Sequence, residues 1–453
     1  MADRPRSTTR DLERYAGLFA TRTLGMKSSA MRDLMAVTAR PEVISLAGGL
    51  PDTSTFSPDL LASLMRTVAD ESCARALQYG PTEGAEEVKA AIAEVMAEEG
   101  MRVDPEDLLV TAGGQQVIDL VCRALLDPGD VVIAEGPTYP GAVPSFGAFQ
   151  ADVRQVPMDE DGMRIDALER LLAGLDAEGR RPKFIYTIPS FQNPGGVTMS
   201  LERRRRLVEI AREREILILE DNPYGLLRYE GEPQPTLRSL DGGDYVIYLG
   251  TFSKILSPGL RLGWASAPRP VLDKLNLGKQ GADLCSSSFS QAFVAAYFAR
   301  HDWRAYLGEL VELYRRRRDT MLEALAEHLP HEATWTRPRG GLFIWVTLPD
   351  YLDTTDLLAR ALREQVAFVP GRAAYLDGRG GSEMRLNFSG VGEDDIREGV
   401  RRIGEVVREQ VAMYSTLTGL APVAPVARPV AAEVAGEPPG GTVHPLRRRR
   451  AAP

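Results

Sequence analysis

Five apolar segments rich in β-branched residues alternate along the chain with segments whose apolar residues recur at helical spacing. The apolar segments read DLLVTAGG, DVVIAEGPTY, PKFIYTIPS, EILILEDNPY and YVIYLGTFSK. Near-continuous apolar runs of this length are typical of strands that are covered on both faces. Intervening segments such as QQVIDLVCRALLDPGD predict amphipathic helices. Strand–helix–strand order implies right-handed crossovers. The sequence therefore predicts an α/β fold with a large, mostly parallel sheet flanked by helices.

The length of the chain predicts more than one domain, because 453 residues exceed what a single compact core accommodates. We expect the large domain over residues 69–320. A smaller α/β domain is predicted from both chain ends, with residues 13–68 joining residues 321–416, where TWTRPRGGLFIWVTLP indicates a strand pair. Residues 1–12 are polar and residues 417–453 are rich in Pro, Ala and Arg, so we expect both ends to be disordered.

Composition argues against several classes of function. The net charge of −9 disfavours a nucleic-acid partner. Three widely spaced cysteines and four histidines form no metal-ligand or disulfide spacing, so we expect no metal site. No stretch approaches the roughly 18–20 apolar residues of a membrane helix, and the N-terminus lacks the apolar core of a signal peptide. These features predict a cytoplasmic protein with no membrane partner.

The strongest chemical signal lies where the last apolar strand ends, in the sequence GTFSK followed by SPGLRLGW. Ligands of open α/β sheets bind outside the carboxyl ends of the strands. Lys254 is at such an end, and a desolvated amine has a lowered pKa and becomes nucleophilic, as Schiff-base formation requires. Thr251, Ser253 and Arg261 offer hydrogen bonds and positive charge to a phosphate. An isolated lysine would more simply be a surface residue, but these neighbours favour the chemical interpretation.

Two further strand ends carry polar residues that suit a heteroaromatic ligand. Asp221 follows EILIL and could pair with a protonated ring nitrogen, while Tyr224 could bond a phenolate oxygen. In isolation, an acid at a strand end is often only a helix cap or turn residue. Asn193, in PSFQNPGG, is placed to donate to an oxygen, although an Asn-Pro-Gly sequence by itself usually marks a turn.

The segment TAGGQQ lies between a predicted strand and a predicted helix. Backbone N–H groups at a helix N-terminus bind anions, and glycines such as Gly114 let a phosphate approach, so Gly114 and Gln115 are candidate phosphate contacts. A glycine pair alone is a weak signal. Tyr139, in GPTYPGA, could stack on a flat ring, although a single aromatic residue more often packs in a core.

Taken together, these segments resemble the class I and II aminotransferases of the aspartate-aminotransferase fold. Within that family, the chain is similar to the branch of 2-aminoadipate, aromatic and branched-chain aminotransferases. The resemblance covers about residues 13–415 and is carried by SLAGGLPD, LQYGPTEG, PSFQNPGG, EDNPYG, GTFSKILSPGLRLGW and RLNFS.

The resemblance implies that the cofactor is pyridoxal 5'-phosphate and that Lys254 holds it and shuttles protons. Asp221 would pair with the pyridinium nitrogen, which makes the ring an electron sink. Asn193 and Tyr224 would bond the ring hydroxyl, and Tyr139 would stack on the ring. The phosphate would be held by Gly114, Gln115, Thr251, Ser253 and Arg261. Tyr79, in LQYGPTEG, resembles a tyrosine that reaches the phosphate from a partner subunit, which implies a homodimer.

The resemblance also implies a substrate site. Arg385, in EMRLNFS, resembles the arginine that binds the substrate α-carboxylate, a bidentate task that suits a planar guanidinium. Asn193 and Gly49 would approach the same carboxylate. Ser29 and Arg32, in SSAMR, resemble part of a mobile N-terminal helix, where Arg32 would pair with a distal carboxylate or else simply face solvent.

The implied activity is the transfer of an amino group between an L-amino acid and a 2-oxo acid such as 2-oxoglutarate by a ping-pong mechanism. Another enzyme on the same scaffold, such as a β-lyase, a decarboxylase or a racemase, would share Lys254 and Asp221, so this alternative stays open. A cofactor-sensing transcription regulator would add an N-terminal winged-helix domain, for which a similar region that starts near residue 13 leaves no room.

Overall fold

The computed structural model describes residues 15–25 and 40–419 of the chain. The predicted disordered N-terminus, residues 1–12, lies outside this part. Ser29 and Arg32 also lie outside the described residues, so their predicted roles in substrate binding stay predictions.

The strands of the described residues fall into three sheets. In chain order they are β1 (Ile44–Ser45), β2 (Leu108–Thr111), β3 (Val131–Gly136), β4 (Asp152–Asp159), β5 (Gly162–Met163), β6 (Pro182–Thr187), β7 (Leu217–Asp221), β8 (Val246–Thr251), β9 (Gly263–Ser266), β10 (Thr334–Trp335), β11 (Phe343–Thr347), β12 (Val366–Ala367), β13 (Val369–Pro370) and β14 (Glu383–Asn387). The largest sheet has eight strands in the order β2-β9-β8-β7-β6-β3-β4-β5.

Five neighbouring strands of the large sheet, β4, β3, β6, β7 and β8, run parallel. Strand β9 runs antiparallel between β2 and β8, and the short β5 is antiparallel to β4. The predicted α/β fold with a large, mostly parallel sheet is therefore confirmed. Because parallel strands end at the same edge of a sheet, the polar residues that follow β6, β7 and β8 are brought to one edge.

Twelve helices belong to the part of the chain that the structure describes, apart from short 3-10 turns. They are α1 (Pro58–Ala76), α2 (Glu86–Glu98), α3 (Gly114–Leu125), α4 (Val143–Ala148), α5 (Ile165–Ala177), α6 (Leu201–Arg214), α7 (Leu237–Asp241), α8 (Arg269–Ala282), α9 (Ser288–Arg300), α10 (Trp303–His328), α11 (Thr354–Ala361) and α12 (Glu393–Thr418).

Alternate residues of the central strands belong to two different hydrophobic cores. In β3, Val132 and Ala134 lie in one core, which α3 and α8 help to cover. Val131 and Ile133 lie in the other core, to which α5 and α6 contribute leucines. This alternation follows from the pleat, which directs successive side chains to opposite faces of the sheet. Burial on both faces explains why the sequence shows unbroken apolar runs here.

A second, antiparallel sheet has the strand order β10-β11-β14-β13. The strand pair predicted within TWTRPRGGLFIWVTLP corresponds to β10 and β11. Helix α12 packs against α10, and β1 pairs in parallel with β12, so a segment near the N-terminus contacts this part of the chain. Strand β14 carries Arg385, whose guanidinium contacts Asn193 in the segment after β6.

The last helix extends further than the sequence indicated. Helix α12 ends at Thr418, whereas the disordered C-terminus was expected from residue 417. The helical pattern continues through MYSTLT because these residues contain neither Pro nor Gly, and Gly419, with φ of 71°, ends the helix. None of the helices in residues 15–25 and 40–419 is long and apolar enough to span a bilayer.

Candidate active site

Lys254 lies in the turn that follows β8. Its Nζ donates a hydrogen bond of 2.6 Å to the carbonyl oxygen of Gly49. Burial lowers the pKa of Lys254 to about 8, and the positive charges of Arg385 and Arg261 act in the same direction, while Asp221 opposes them. A neutral amine near physiological pH is the state that nucleophilic chemistry requires.

Asp221 is the last residue of β7 and is buried. Its Oδ2 accepts a hydrogen bond of 2.6 Å from the hydroxyl of Tyr186 in β6. Burial raises the pKa of Asp221 to about 6, although the Tyr186 bond and the charge of Lys254 favour the ionised form. A buried carboxylate with free acceptor capacity suits a cationic partner.

Tyr186 was missed by the sequence analysis. It belongs to the run PKFIYT and looks like one more residue of a buried strand. A signal was nevertheless present, since a buried tyrosine needs a partner for its hydroxyl. Which partner it finds depends on the parallel register of β6 and β7, in which Tyr186 lies opposite Leu219, two residues before Asp221.

Asn193, Tyr224 and Arg385 come together from three separate parts of the chain. The guanidinium of Arg385 donates from Nη1 to Asn193 Oδ1 at 2.9 Å, and Asn193 Nδ2 lies 3.4 Å from the Tyr224 hydroxyl. Arg385 is only 2% exposed and stacks over Phe343, with its Cζ 4.4 Å from the ring centroid. Its Nη2 donates to the carbonyl of Ala47 at 2.7 Å. This network holds a guanidinium of fixed orientation near Lys254.

The start of helix α3 forms a concave backbone site beside a guanidinium. Gly113 caps the helix with φ of 84°, and a Cβ atom at this position would lie 2.5 Å from Arg261 Nη2. Arg261 donates to the carbonyl of Ala112 at 3.1 Å. A Cβ at Gly114 would instead meet Leu249 at 2.8 Å. Gly113 therefore leaves room for the Arg261 guanidinium beside the first N–H groups of the helix, and this combination of N–H groups and positive charge fits a phosphate.

The hydroxyls of Thr251 and Ser253 are 2.9 Å apart and lie at the end of β8, next to Lys254 in the chain. The Gln115 side chain is directed elsewhere, since its Nε2 donates to Gly141 O and Ser145 Oγ, both at 2.9 Å. Only the backbone N–H of Gln115, and not its side chain, therefore remains a candidate phosphate contact at the start of the helix. Tyr139 is half-buried, with its ring packed against Gly141.

Within a single chain, Tyr79 lies on the surface and apart from the other candidates. Its side chain is 78% exposed, and the neighbouring Leu77 is also exposed. Of the other candidates, Gly49 accepts a hydrogen bond from Lys254, and Asp221, Arg261 and Arg385 lie close enough to influence its pKa. An acid for a ring nitrogen, an amide and a tyrosine for a ring oxygen, and a phosphate cradle fit a phosphorylated pyridine such as pyridoxal phosphate.

Comparisons with known proteins identify the family of the chain. The family model for aminotransferase class I and II matches residues 41–403. Aromatic-amino-acid aminotransferase 1 of Thermococcus litoralis is 43% identical over 404 residues, which span 89% of this chain and 96% of that protein. The crystal structure of a multiple substrate aminotransferase from Thermococcus profundus is similar with a TM-score of 0.83 and 41% identity, covering 88% of this chain and 99% of that one.

A third similar protein is the α-aminoadipate aminotransferase of Thermus thermophilus, whose structure contains N-(5'-phosphopyridoxyl)-L-leucine. It has a TM-score of 0.81 and 37% identity, and the match covers 88% of this chain and 99% of that one. With a family match over most of its length, the chain belongs to the class I and II aminotransferases and is a pyridoxal-phosphate-dependent aminotransferase of the aspartate-aminotransferase fold.

Proposed function

We propose that the protein transfers the amino group of an L-amino acid of the 2-aminoadipate, aromatic or branched-chain type to a 2-oxo acid such as 2-oxoglutarate, in two half-reactions of a ping-pong cycle. The observation that carries this proposal is the amine of Lys254, with its lowered pKa, beside a buried carboxylate and a buried guanidinium. The relatives named above support the substrate range, because their names refer to aromatic amino acids, α-aminoadipate and multiple substrates.

Asp221 and Lys254 would carry the proton chemistry. Bound pyridoxal phosphate supplies an electron sink for the charge that develops at the substrate Cα. The carboxylate of Asp221 would hold a proton on the ring nitrogen. The amine of Lys254 would accept the proton that leaves the substrate Cα and hold it for return, and a pKa of about 8 is close to the value that proton transfer at neutral pH favours.

Arg385 and Asn193 would bind the substrate α-carboxylate. Arg385 presents a planar donor pair, and its contact with Asn193 fixes the plane of the guanidinium. Burial lowers the pKa of Arg385 to about 10, which still leaves it charged at neutral pH. The main-chain carbonyl of Gly49 accepts from Lys254, so this segment also borders the space that the substrate would enter. Arg32 is proposed to recognise an acidic side chain.

The phosphate would be held by Arg261, the hydroxyls of Thr251 and Ser253, and the N–H groups of Gly114 and Gln115. Tyr139 would stack on the ring, and Tyr224 would bond the ring hydroxyl together with Asn193. Apart from Arg261, which precedes β9, these residues lie at or after the carboxyl ends of β2, β3, β6, β7 and β8.

We further propose a homodimer in which Tyr79 completes the partner's phosphate site. Its exposed side chain and the exposed Leu61, Met65 and Leu77 support a surface that a second copy covers. Mixing two inactive variants tests this: Lys254→Ala subunits combined with Tyr79→Ala subunits should regain activity, because each mixed dimer has one intact site. Mixtures that stay inactive, despite proven subunit exchange, contradict shared sites.

The activity is tested by half-reactions on the purified holoenzyme. L-glutamate, L-2-aminoadipate, L-leucine and L-phenylalanine are added separately while the visible absorption band of the lysine-bound cofactor is followed. A good donor removes this band, and a 2-oxo acid then restores it. Release of ammonia or CO₂ instead would identify a lyase or a decarboxylase. Persistence of the band with all four donors would refute the proposed substrate range.

Arg32→Met provides a comparison of substrates. If Arg32 binds a distal carboxylate, the variant loses apparent affinity for L-2-aminoadipate but keeps that for L-leucine. If the apparent affinities for both donors change equally, Arg32 does not recognise acidic substrates.

A further inference from the structure

Glu135 is a buried acid next to the active site to which the chemistry above assigns no role. It is the fifth residue of β3 and only 1% exposed. Its carboxylate accepts hydrogen bonds from the hydroxyl of Thr187, from the backbone N–H of Ile188 at 3.2 Å and from Nε2 of Gln192 at 3.0 Å. Burying a carboxylate is costly unless such partners are present, so an acid at this position has a structural or functional purpose.

Gln192 links Glu135 to the tight turn formed by residues 192–196. Its Nε2 donates to Pro137 O at 2.9 Å in addition to Glu135, so the side chain is held from two sides. Its Oε1 accepts from the backbone N–H of Gly195 at 2.6 Å. Its main-chain carbonyl accepts from Gly196 N, also at 2.6 Å. Gln192 thus determines where the turn from 192 to 196 lies relative to β3.

Asn193 is the residue inside this turn whose side chain faces the active site. Its Oδ1 accepts from Arg385 at 2.9 Å, and its Nδ2 lies 3.4 Å from the Tyr224 hydroxyl. A displacement of the turn would move this amide and remove a contact that orients the guanidinium of Arg385. Small errors in the position of a binding group cause large losses in reactivity.

We propose that Glu135 is a positioning residue of the active site, which anchors Gln192 and thereby aims the Asn193 amide at Arg385 and Tyr224. The inference rests on the proposed binding roles of Asn193 and Arg385. Glu135 itself contacts neither the substrate nor the cofactor in this arrangement. It ties the strand that leads to Tyr139 to the turn that carries Asn193.

Geometry, and not charge, is the contribution of Glu135. Burial raises the pKa of Glu135 to about 7, with Thr187, Gln192 and Ile188 opposing this shift and Asp221 adding to it. A protonated carboxyl can keep Ile188 and Gln192 as donors on one oxygen and donate to the Thr187 hydroxyl from the other. A glutamine can do the same. Glu135→Gln should therefore preserve the turn, whereas Glu135→Ala should release it.

The first test is amide hydrogen exchange of the full-length holoenzyme. In Glu135→Ala, the Gly195 and Gly196 amides should exchange about tenfold faster, the factor expected when roughly one hydrogen bond is lost. Gln192→Ala should reproduce the effect, and Glu135→Gln should remain close to the wild type. Glu135→Ala and Gln192→Ala should each also raise KM for the best amino donor about tenfold. The Glu135→Ala/Gln192→Ala double variant should add little to either single variant.

Asp241→Ala is the matched control, because Asp241 is also a buried carboxylate that holds a turn. It accepts from the N–H groups of Gly243, Tyr245 and Val246 at the opposite end of β8 from Lys254. This variant should speed exchange at 243–246 and leave Gly195 and Gly196 unchanged. Equal acceleration of Gly195 and Gly196 in the control would overturn the proposal, since the effect would then be global.

Three other results would also overturn it: unchanged exchange at Gly195 and Gly196 in Glu135→Ala, damage by Glu135→Gln as large as by Glu135→Ala, or faster exchange with unchanged KM. If Glu135→Ala does not fold, Glu135→Asp decides by the same exchange and KM measurements, because the shorter side chain withdraws the carboxylate from Gln192. A wild-type protein that transaminates none of the donors would refute the proposed function, while the exchange results would still report on the anchoring of the turn.

Discussion

Replacing Lys254 with methionine should make the cofactor-free protein more stable near neutral pH, although it removes the residue on which the chemistry depends. The folded state holds the amine in a place where burial lowers its pKa from 10.5 to about 8. A shift of this size is equivalent to about 3 kcal/mol of unfavourable free energy when the amine is protonated. Loss of the hydrogen bond to Gly49 offsets about 1 kcal/mol of this. We expect a net gain of about 2 kcal/mol near pH 7.

The gain should depend on pH in a defined direction. Because the folded protein protonates Lys254 less readily than the unfolded chain does, the unfolded state binds more protons between about pH 8 and 10.5. The free energy of unfolding of the wild type therefore increases as the pH rises through this window, because the cost of burying a charged Lys254 disappears. Below about pH 8 the full cost is present, and above about pH 10.5 it is gone. The advantage of Lys254→Met should vanish over the same range.

Urea unfolding of the two cofactor-free proteins, followed by tryptophan fluorescence at about pH 7 and about pH 10, measures the difference. Lys279→Met serves as a control, since Lys279 is fully buried but its Nζ lies 2.6 Å from Asp283. Lys279→Met removes an ion pair with Asp283, which is itself exposed, so this variant should show no gain in stability. The reasoning is refuted if Lys254→Met is less stable than the wild type near pH 7, or if its advantage is the same at both pH values.

Three further predictions concern ligand binding. Gly113→Ala should weaken pyridoxal phosphate binding about tenfold in an absorbance titration, because the new Cβ would displace Arg261 and the positive φ strains alanine by about 1–2 kcal/mol; an unchanged Kd would contradict the cradle. Arg385→Lys should raise KM for the amino donor roughly 10- to 100-fold, with a smaller change in kcat, because a bidentate contact is lost; a loss confined to kcat would argue against carboxylate binding. Tyr186→Phe should raise the pKa of Asp221 further above about 6, because it removes the 2.6 Å hydrogen bond. As the pH is lowered, the affinity for the cofactor should therefore begin to fall at a higher pH than in the wild type. If the pH dependence of the affinity is unchanged, Tyr186 has no influence on Asp221.

The strands and the location of the site were predictable from local patterns. The central strands of the large sheet are near-continuous apolar runs, and this signal is local because burial on two faces acts on most residues of each strand. Asp221 ends one such run, and Lys254 and Asn193 lie in the segments that follow two others. Their meeting at one edge then follows from parallel order alone.

The contacts that give those residues their chemical properties could not be predicted in this way. Lys254 donates to Gly49, and Arg385 reaches Asn193, across 205 and 192 positions of the chain. Tyr186 meets Asp221 through the register of two strands, and Glu135 meets Gln192 through a turn. Sequence by itself determined which segments are covered and where polar residues interrupt them, because periodicity records burial. The tertiary structure decided the partners and pKa values of those residues, because desolvation and hydrogen bonding depend on the packing of distant segments.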